Sequence, residues 1–180
     1  MKRYFLLMLV CIVCILNSCE KDEVFGDTLV YMPQATHNIG TDNNLIVDLN
    51  PSANADTSIV LGVYRSGLQE LQGFSVDLML NTDTIPKAKA IALQPNAPAK
   101  YNIYKTGILL PPNYYAPLPP KITVPEGERD AYIFLVLKKS LIRSNYPSGT
   151  ILLLPVQIAN PTKYKLNNDY TLTMVVMTVN

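Results

Sequence analysis

Beyond its first few dozen residues the chain alternates hydrophobic and polar positions with period two. Phe74, Val76, Leu78 and Leu80 share one face of an extended segment, with Ser75, Asp77 and Met79 on the other, which is the pattern of a half-buried strand. The same reading predicts strands at 28–32, 44–49, 58–64, 121–124, 130–137, 151–158 and 170–179. Turn signals separate them: Asn50-Pro51, Ser66-Gly67, Pro125-Glu126-Gly127-Glu128 and Ser148-Gly149. Short strands so spaced, with almost no helical periodicity, predict an all-β protein, an antiparallel immunoglobulin-like β-sandwich of about 7–8 strands. Only 87–93 and 138–143 have room for a helical turn or two. Pro155 cannot donate to a ladder, so the strand at 151–158 is expected to kink there or to run along a sheet edge. Residues 95–120 show little regular pattern and carry five prolines between Pro111 and Pro120, which predicts a long functional loop or a packed crossover.

The N-terminus follows another rule. Lys2 and Arg3 precede thirteen apolar residues, 4–16, a signal-peptide helix of roughly 20 Å at about 1.5 Å per residue against a hydrocarbon core of roughly 30 Å. Leu16-Asn17-Ser18-Cys19 resembles a bacterial lipobox, which implies cleavage before Cys19 and acylation of its thiol and new N-terminus. The expected organisation is a signal peptide at 1–18, a lipidated leader at 19–27 and a sandwich domain at 28–180. Cys11 and Cys14 lie inside the apolar run, so Cys19 is the one thiol left and no disulfide framework is available. Lys21, Asp22 and Glu23 resemble the lysine and acidic residues that follow the lipidated cysteine in surface-exposed lipoproteins of Bacteroidetes-type bacteria. That likeness implies an outer-membrane lipoprotein displayed at the cell surface; a plain solvated spacer, with the protein facing the periplasm, is the alternative.

Charge then removes some function classes. Fifteen Lys and Arg against fourteen Asp and Glu leave a formal charge of +1, and no window was expected to supply the clustered basic surplus that phosphate neutralisation needs, so nucleic acid is not an expected partner. His37 is the only histidine and lies in a polar segment without a nucleophile-elbow motif, which argues against a Ser-His-Asp arrangement. Zinc takes three or four Cys, His or carboxylate ligands, so one histidine with no spare cysteine argues against a zinc site, and Asp42, Asp48 and Asp56 match no calcium loop. Glu126, Glu128 and Asp130 form the densest carboxylate group, but with Arg129 among them they read as a solvated hairpin turn rather than a glycosidase pair. No enzyme, metal or cofactor is therefore expected.

Aromatic residues are the better binding candidates, because sugar rings present flat C–H faces that stack on aromatic rings. Tyr114 and Tyr115 stand out: they are adjacent in the proline-rich 111–120 segment, so an extended backbone turns one of them outward. Tyr104 and Tyr146 suit structural packing. Tyr101-Asn102, the run Gly107 to Tyr115, Ile122-Thr123-Val124-Pro125-Glu126-Gly127 and Leu154-Pro155-Val156-Gln157-Ile158 together resemble the N-terminal domain of unknown function carried by many Bacteroidetes surface lipoproteins, over 28–179. The resemblance implies an immunoglobulin-like sandwich of the kind that precedes carbohydrate-binding or glycoside-hydrolase modules in glycan-uptake systems. The expected function is a non-catalytic, lipid-anchored surface protein that binds glycans or assists their uptake, with the membrane, an oligosaccharide or other outer-membrane proteins as partners. The alternative is an adhesion or assembly subunit of fimbrial or accessory type. A concave, aromatic-floored groove would favour the first and an open sheet edge the second.

Mass spectrometry of the membrane-purified protein is expected to find an acylated Cys19 as its first residue; an unmodified start elsewhere would remove the basis for membrane attachment. Replacing Lys21, Asp22 and Glu23 by Ala is expected to lower protease accessibility on intact cells without lowering total lipoprotein.

Overall fold

The computed structural model describes residues 27–36, 44–49, 56–67 and 70–180; Cys19, Lys21, Asp22, Glu23, His37 and Asp42 lie outside the described residues. Among the described residues ten strands form two sheets. The four-stranded sheet has the order β7(Asp130–Leu137), β3(Thr57–Arg65), β1(Leu29–Tyr31), β9(Lys165–Leu166). In the six-stranded sheet the order is β2(Asn44–Leu49), β10(Leu172–Val179), β8(Ile151–Ala159), β4(Phe74–Leu80), β6(Lys121–Val124), with β5(Ile108–Leu109) also against β8. The inner faces share one core, in which Leu61, Val63, Leu135 and Leu137 meet Val76, Val124, Leu154 and Val175. This is the expected sandwich, and the segments at 44–49, 121–124 and 130–137 have the expected bounds. Three pairings are parallel rather than antiparallel: β1 with β9, β2 with β10, and β5 with β8. The chain crosses from β6 in one sheet to β7 in the other, so the turn at Pro125–Glu128 is an arch between sheets and not the hairpin expected there.

Strands β8 and β10 depart from strict alternation of apolar and polar residues, and the departure shapes the rest. Leu152, Leu154, Val156, Val175 and Met177 point into the sandwich. Their neighbours Leu153, Met174 and Val176 are also buried, in a second apolar cluster on the opposite face. Strands apolar on both faces must be covered on both sides. The second cover comes from 84–106, which contains α2(Thr84–Ala92), a 3-10 turn at Ala99–Tyr101 and α3(Asn102–Thr106), two further short helices being α1(Pro33–Thr36) and α4(Lys139–Asn145). Ile85, Ala88 and Ala92 recur at helical spacing along the buried side of α2, and Pro86 is tolerated because it lies in the first turn, where its missing N–H had no helical partner. The segment 95–120, patternless by period, is thus half cap and half strap. Gly107 makes the junction possible: a Cβ there would sit 2.6 Å from Leu153 Cδ1 and 2.8 Å from the Ile103 carbonyl oxygen.

Pro155 lies on the interior strand β8 rather than on a strand at the sheet edge, opposite Met174 of β10. Its carbonyl accepts from the Asn81 N–H at 3.0 Å, and that of Leu153 from the Leu110 N–H at 2.9 Å. Residues 153 and 155 therefore direct their backbone groups to the side of β8 where β5 gives way to β4, whose pairing begins only at Val156. The missing N–H falls in that gap, a local edge inside the sheet.

Tyr114 and Tyr115 belong to the strap. The Lys138 N–H donates to the Tyr114 carbonyl and the Ala116 N–H to the Val136 carbonyl, each at 2.9 Å, so the segment is laced to the end of β7. Extended backbone at Tyr115 turns its side chain into the core, 6% exposed, and burial pushes its phenol pKa up. Tyr114 is half-buried, with its ring 5.2 Å from that of Tyr146.

Urea unfolding is expected to show Tyr115→Ala losing about 3–5 kcal/mol, as for a core aromatic, and Tyr114→Ala far less. Leu153→Ala is expected to cost about 2–5 kcal/mol although it lies outside the sandwich core; a loss below 1 kcal/mol would mean that the cap does not pack on β8 as described.

Candidate functional site

Between the cap and the six-stranded sheet lies a cavity of about 280 Å³, close to the lower end of the roughly 300–1,000 Å³ common for small-ligand sites. Its wall is built from four directions. Helix α2 supplies Thr84, Lys87 and Ala88, the 3-10 turn supplies Lys100 and Tyr101, α3 supplies Tyr104, and the sheet supplies Asn44 and Met174. The spacing of three between Tyr101 and Tyr104 brings both rings to one side of the helical turn, with centroids 5.9 Å apart and planes at 44°. Tyr104 is buried, and its hydroxyl donates to Asn44 Oδ1 at 2.8 Å. Burial pushes its pKa up to about 12, so it remains a neutral phenol at any physiological pH. Asn44, the first residue of β2 and only 2% exposed, brings an amide to an otherwise apolar floor. Lys100 holds its ammonium 5.5 Å from the Tyr101 ring centroid.

Chemically this arrangement can stack a flat apolar ring face, hydrogen-bond to hydroxyls and attract negative charge. Among the described residues that line it there is no carboxylate, histidine or cysteine. Among the described residues no group of three or more His, Cys, Asp or Glu is placed to hold a metal ion. Glu126 and Glu128 are exposed on the arch, away from the cavity lining.

The tyrosines singled out from sequence and the cavity are separate places. Tyr114 and Tyr115 do not line it, and of the two Tyr114 is the one a ligand can reach. Tyr104 packs, as its sequence setting implies, but it packs as a cavity wall beside Tyr101, a partnership for which the Tyr-x-x-Tyr spacing is the sequence signal.

A second aromatic surface was not foreseen. On the open face of the four-stranded sheet, Tyr31 stands 5.4 Å from Tyr64 and 6.5 Å from Tyr170 between ring centroids. Tyr132 and Phe134 continue on β7, 52% and 64% exposed. Gly62 opposite Tyr132 leaves the space its ring occupies, since a Cβ there would lie 2.6 Å from Tyr132 Cδ1. The Tyr132 hydroxyl donates to Asp130 Oδ2 at 3.0 Å, and that bond to the carboxylate raises its pKa.

No curated protein matches this chain in sequence. Solved structures share its fold at low identity. A Bacteroides ovatus protein described as a proposed carbohydrate binder superposes with a TM-score of 0.56 at 10% identity, over 84% of this chain and 37% of its own. An auxiliary nutrient binding protein of Bacteroides thetaiotaomicron gives 0.51 at 16% identity, over 76% of this chain and 43% of its own. The Calx CBD1 domain gives 0.50 at 11% identity, over 86% of this chain and 99% of its own, so one whole domain of that protein corresponds to this sandwich. The chain spans less than half the length of the two Bacteroides proteins. No helix among the described residues is long and apolar enough to cross a membrane. Residues 25–165, most of the chain, match a family model described as an N-terminal domain, and the chain belongs to that Bacteroidetes family of N-terminal domains.

Proposed function

We propose that this is a non-catalytic, lipid-anchored cell-surface protein that holds a saccharide in the Tyr101–Tyr104 cavity as an accessory to glycan uptake. The cavity carries this reading: paired tyrosines and a buried amide offer a stacking face and polar groups, and the described lining residues include no carboxylate, histidine or cysteine. Carbohydrate and nutrient binding in the descriptions of two Bacteroides neighbours support it. Attachment rests on the basic, apolar and cysteine order of residues 2–19, and outward display on Lys21, Asp22 and Glu23. Residues 28–180 would act as the sandwich domain behind that anchor. Tyr114, leaning on Tyr146, is a secondary stacking surface on the 111–120 strap, with Tyr115 holding the strap from beneath.

A second reading, an adhesion or assembly subunit, is favoured by one observation. Exposed Tyr132 and Phe134 on the open sheet face form an apolar surface that suits a protein partner.

A glycan array followed by titration calorimetry separates these readings. The intact protein is expected to retain an oligosaccharide, and Tyr101→Ala to weaken it by about 1 kcal/mol, roughly fivefold in Kd, in a variant that still unfolds cooperatively. Loss on Tyr114→Ala with Tyr101→Ala silent would move the site to the strap. No retained glycan, together with capture of an outer-membrane protein that Phe134→Ala abolishes, would establish the second reading instead.

A further inference from the structure

Strand β7 forms one edge of the four-stranded sheet and pairs with β3 on its inner side. The Arg65 N–H donates to the Arg129 carbonyl, so odd-numbered residues from 129 to 137 turn their backbone groups towards β3 and even-numbered ones turn theirs outwards. The strap already uses two outward positions: the Val136 carbonyl accepts from Ala116, the Lys138 N–H donates to Tyr114, and Tyr115 sits opposite Leu137 as an antiparallel bridge. It cannot run further along β7, because Pro117, Pro119 and Pro120 have no N–H to give. Asp130, Tyr132 and Phe134 are left with outward N–H and carbonyl groups that have no backbone partner among the described residues. Sheet edges are normally protected by shortness, charge or proline. Strand β6 has four residues, an exposed Lys121 and Pro125 behind it, and β9 has two residues. Strand β7 has none of these devices over 131–137, which are uncharged and free of Pro and Gly, and the Asp130 carboxylate is held by the Tyr132 hydroxyl. Charge says what fits such an edge. Glu126, Glu128 and Asp130 lead into β7 and Lys138 follows it, with Glu126, Glu128 and Lys138 exposed. Lys138 gives one of its three donors to the Asn113 carbonyl at 3.0 Å, and no ion pair among the described residues joins it to a carboxylate. A strand with acid at its start and base at its end complements itself when two copies run antiparallel.

We infer that β7 pairs with β7 of a second copy of this chain, antiparallel across a two-fold axis, so that two four-stranded sheets join edge to edge. The three free residues fix the register: the axis passes at Tyr132, which faces its own counterpart, and Phe134 faces Asp130 of the other copy. Position 128 of one copy then falls level with position 136 of the other, two residues or about 7 Å along the strand from Lys138, within reach of a long acidic and a long basic side chain. The exposed rings of Tyr132 and Phe134 lie along the seam. Three residues of free edge are little against the roughly 800 Å² per partner of a standard interface, so the dimer is weak and sensitive to salt. The inference is independent of the saccharide reading and gives the exposed aromatic surface a partner of defined kind.

Cysteine crosslinking of the full chain in membranes, with the parent chain as control, tests the register. Directly opposed residues in such a pair have Cα atoms about 5.5 Å apart, inside the range a disulfide spans. Oxidised Tyr132→Cys is expected to run as a covalent dimer, and Val60→Cys, also exposed on that face but one strand further in, as a monomer. Crosslinking of Val60→Cys with Tyr132→Cys silent would put sheet faces rather than edges together and overturn the inference. Sedimentation of the purified full chain is expected to show a monomer–dimer equilibrium that weakens severalfold between about 0.05 and 0.5 M salt. Lys138→Glu alone, and Glu126→Lys together with Glu128→Lys, should each lower self-association severalfold, while an equimolar mixture of the two variants restores it. All three positions are exposed, so the variants should fold as the parent does. A mixture no more associated than its components overturns the antiparallel pairing. A monomer at every concentration, with no covalent dimer of Tyr132→Cys, overturns the inference and leaves the saccharide reading untouched.

Discussion

Strands β8 and β10 lie side by side at the centre of the larger sheet and are apolar on both faces, so neither face can be left to water. One face is satisfied by the other sheet, through Leu152, Leu154, Val175 and Met177. The other exposes Leu153, Met174 and Val176, and at roughly 25 cal/mol per Å² their burial is a strong drive to bring a further layer onto the sheet. Helices α2 and α3 are that layer. They are short, and neither would persist alone in water; the sheet beneath stabilises them. Gly107 and the strap that follows, and the local edge that admits Pro155, are consequences of bringing the chain out over the sheet and back again.

The same arrangement creates the cavity. Two short helices joined through the turns at 93–101 cannot match a twisted sheet everywhere, and a space remains that Ala88, Tyr101 and Tyr104 line. Ala88 and Ala92 of α2 and Tyr104 of α3 are buried in one cluster with Leu153, Met174 and Val176 of the sheet. The wall combines apolar side chains with a buried amide and aromatic rings, which is the distribution a small polar ligand needs: a surface to stack on and a few fixed polar groups.

The opposite sheet solves a different problem. Arg65 is completely buried, and its charge is met by the Glu70 carbonyl at 2.6 Å, by the Tyr164 hydroxyl at 2.8 Å and by the Tyr164 ring, 5.0 Å from the guanidinium carbon. Tyr164 reaches it from a backbone at φ +66°, in the left-handed region uncommon for a non-glycine residue, and packs edge-on to Phe74 at 5.5 Å. One buried cation thereby ties β3 of the small sheet to the start of β4 in the large one. The outer face beyond is left open, and its aromatic residues are held in place by one another and by the space above Gly62.

Local chemistry determined the strands by itself. Alternation at 74–80, 121–124 and 130–137 and the turn residues between them specify extended segments with one buried face, because period two is a property of the backbone and needs no knowledge of neighbours. The N-terminal order of basic, apolar and cysteine residues is likewise local. Which strands lie next to which was decided by tertiary structure: parallel pairing of β2 with β10, and the crossing from β6 to β7, bring together residues far apart in sequence. The runs at 151–158 and 170–179 did carry a legible warning, since continuous apolar character where alternation was assumed signals two covered faces. The cavity could not be read in this way. Asn44 meets Tyr104 across 60 positions, and Thr84 and Tyr101 line one cavity only because the cap folds onto the sheet, so the site exists as a relation between surfaces that only packing creates.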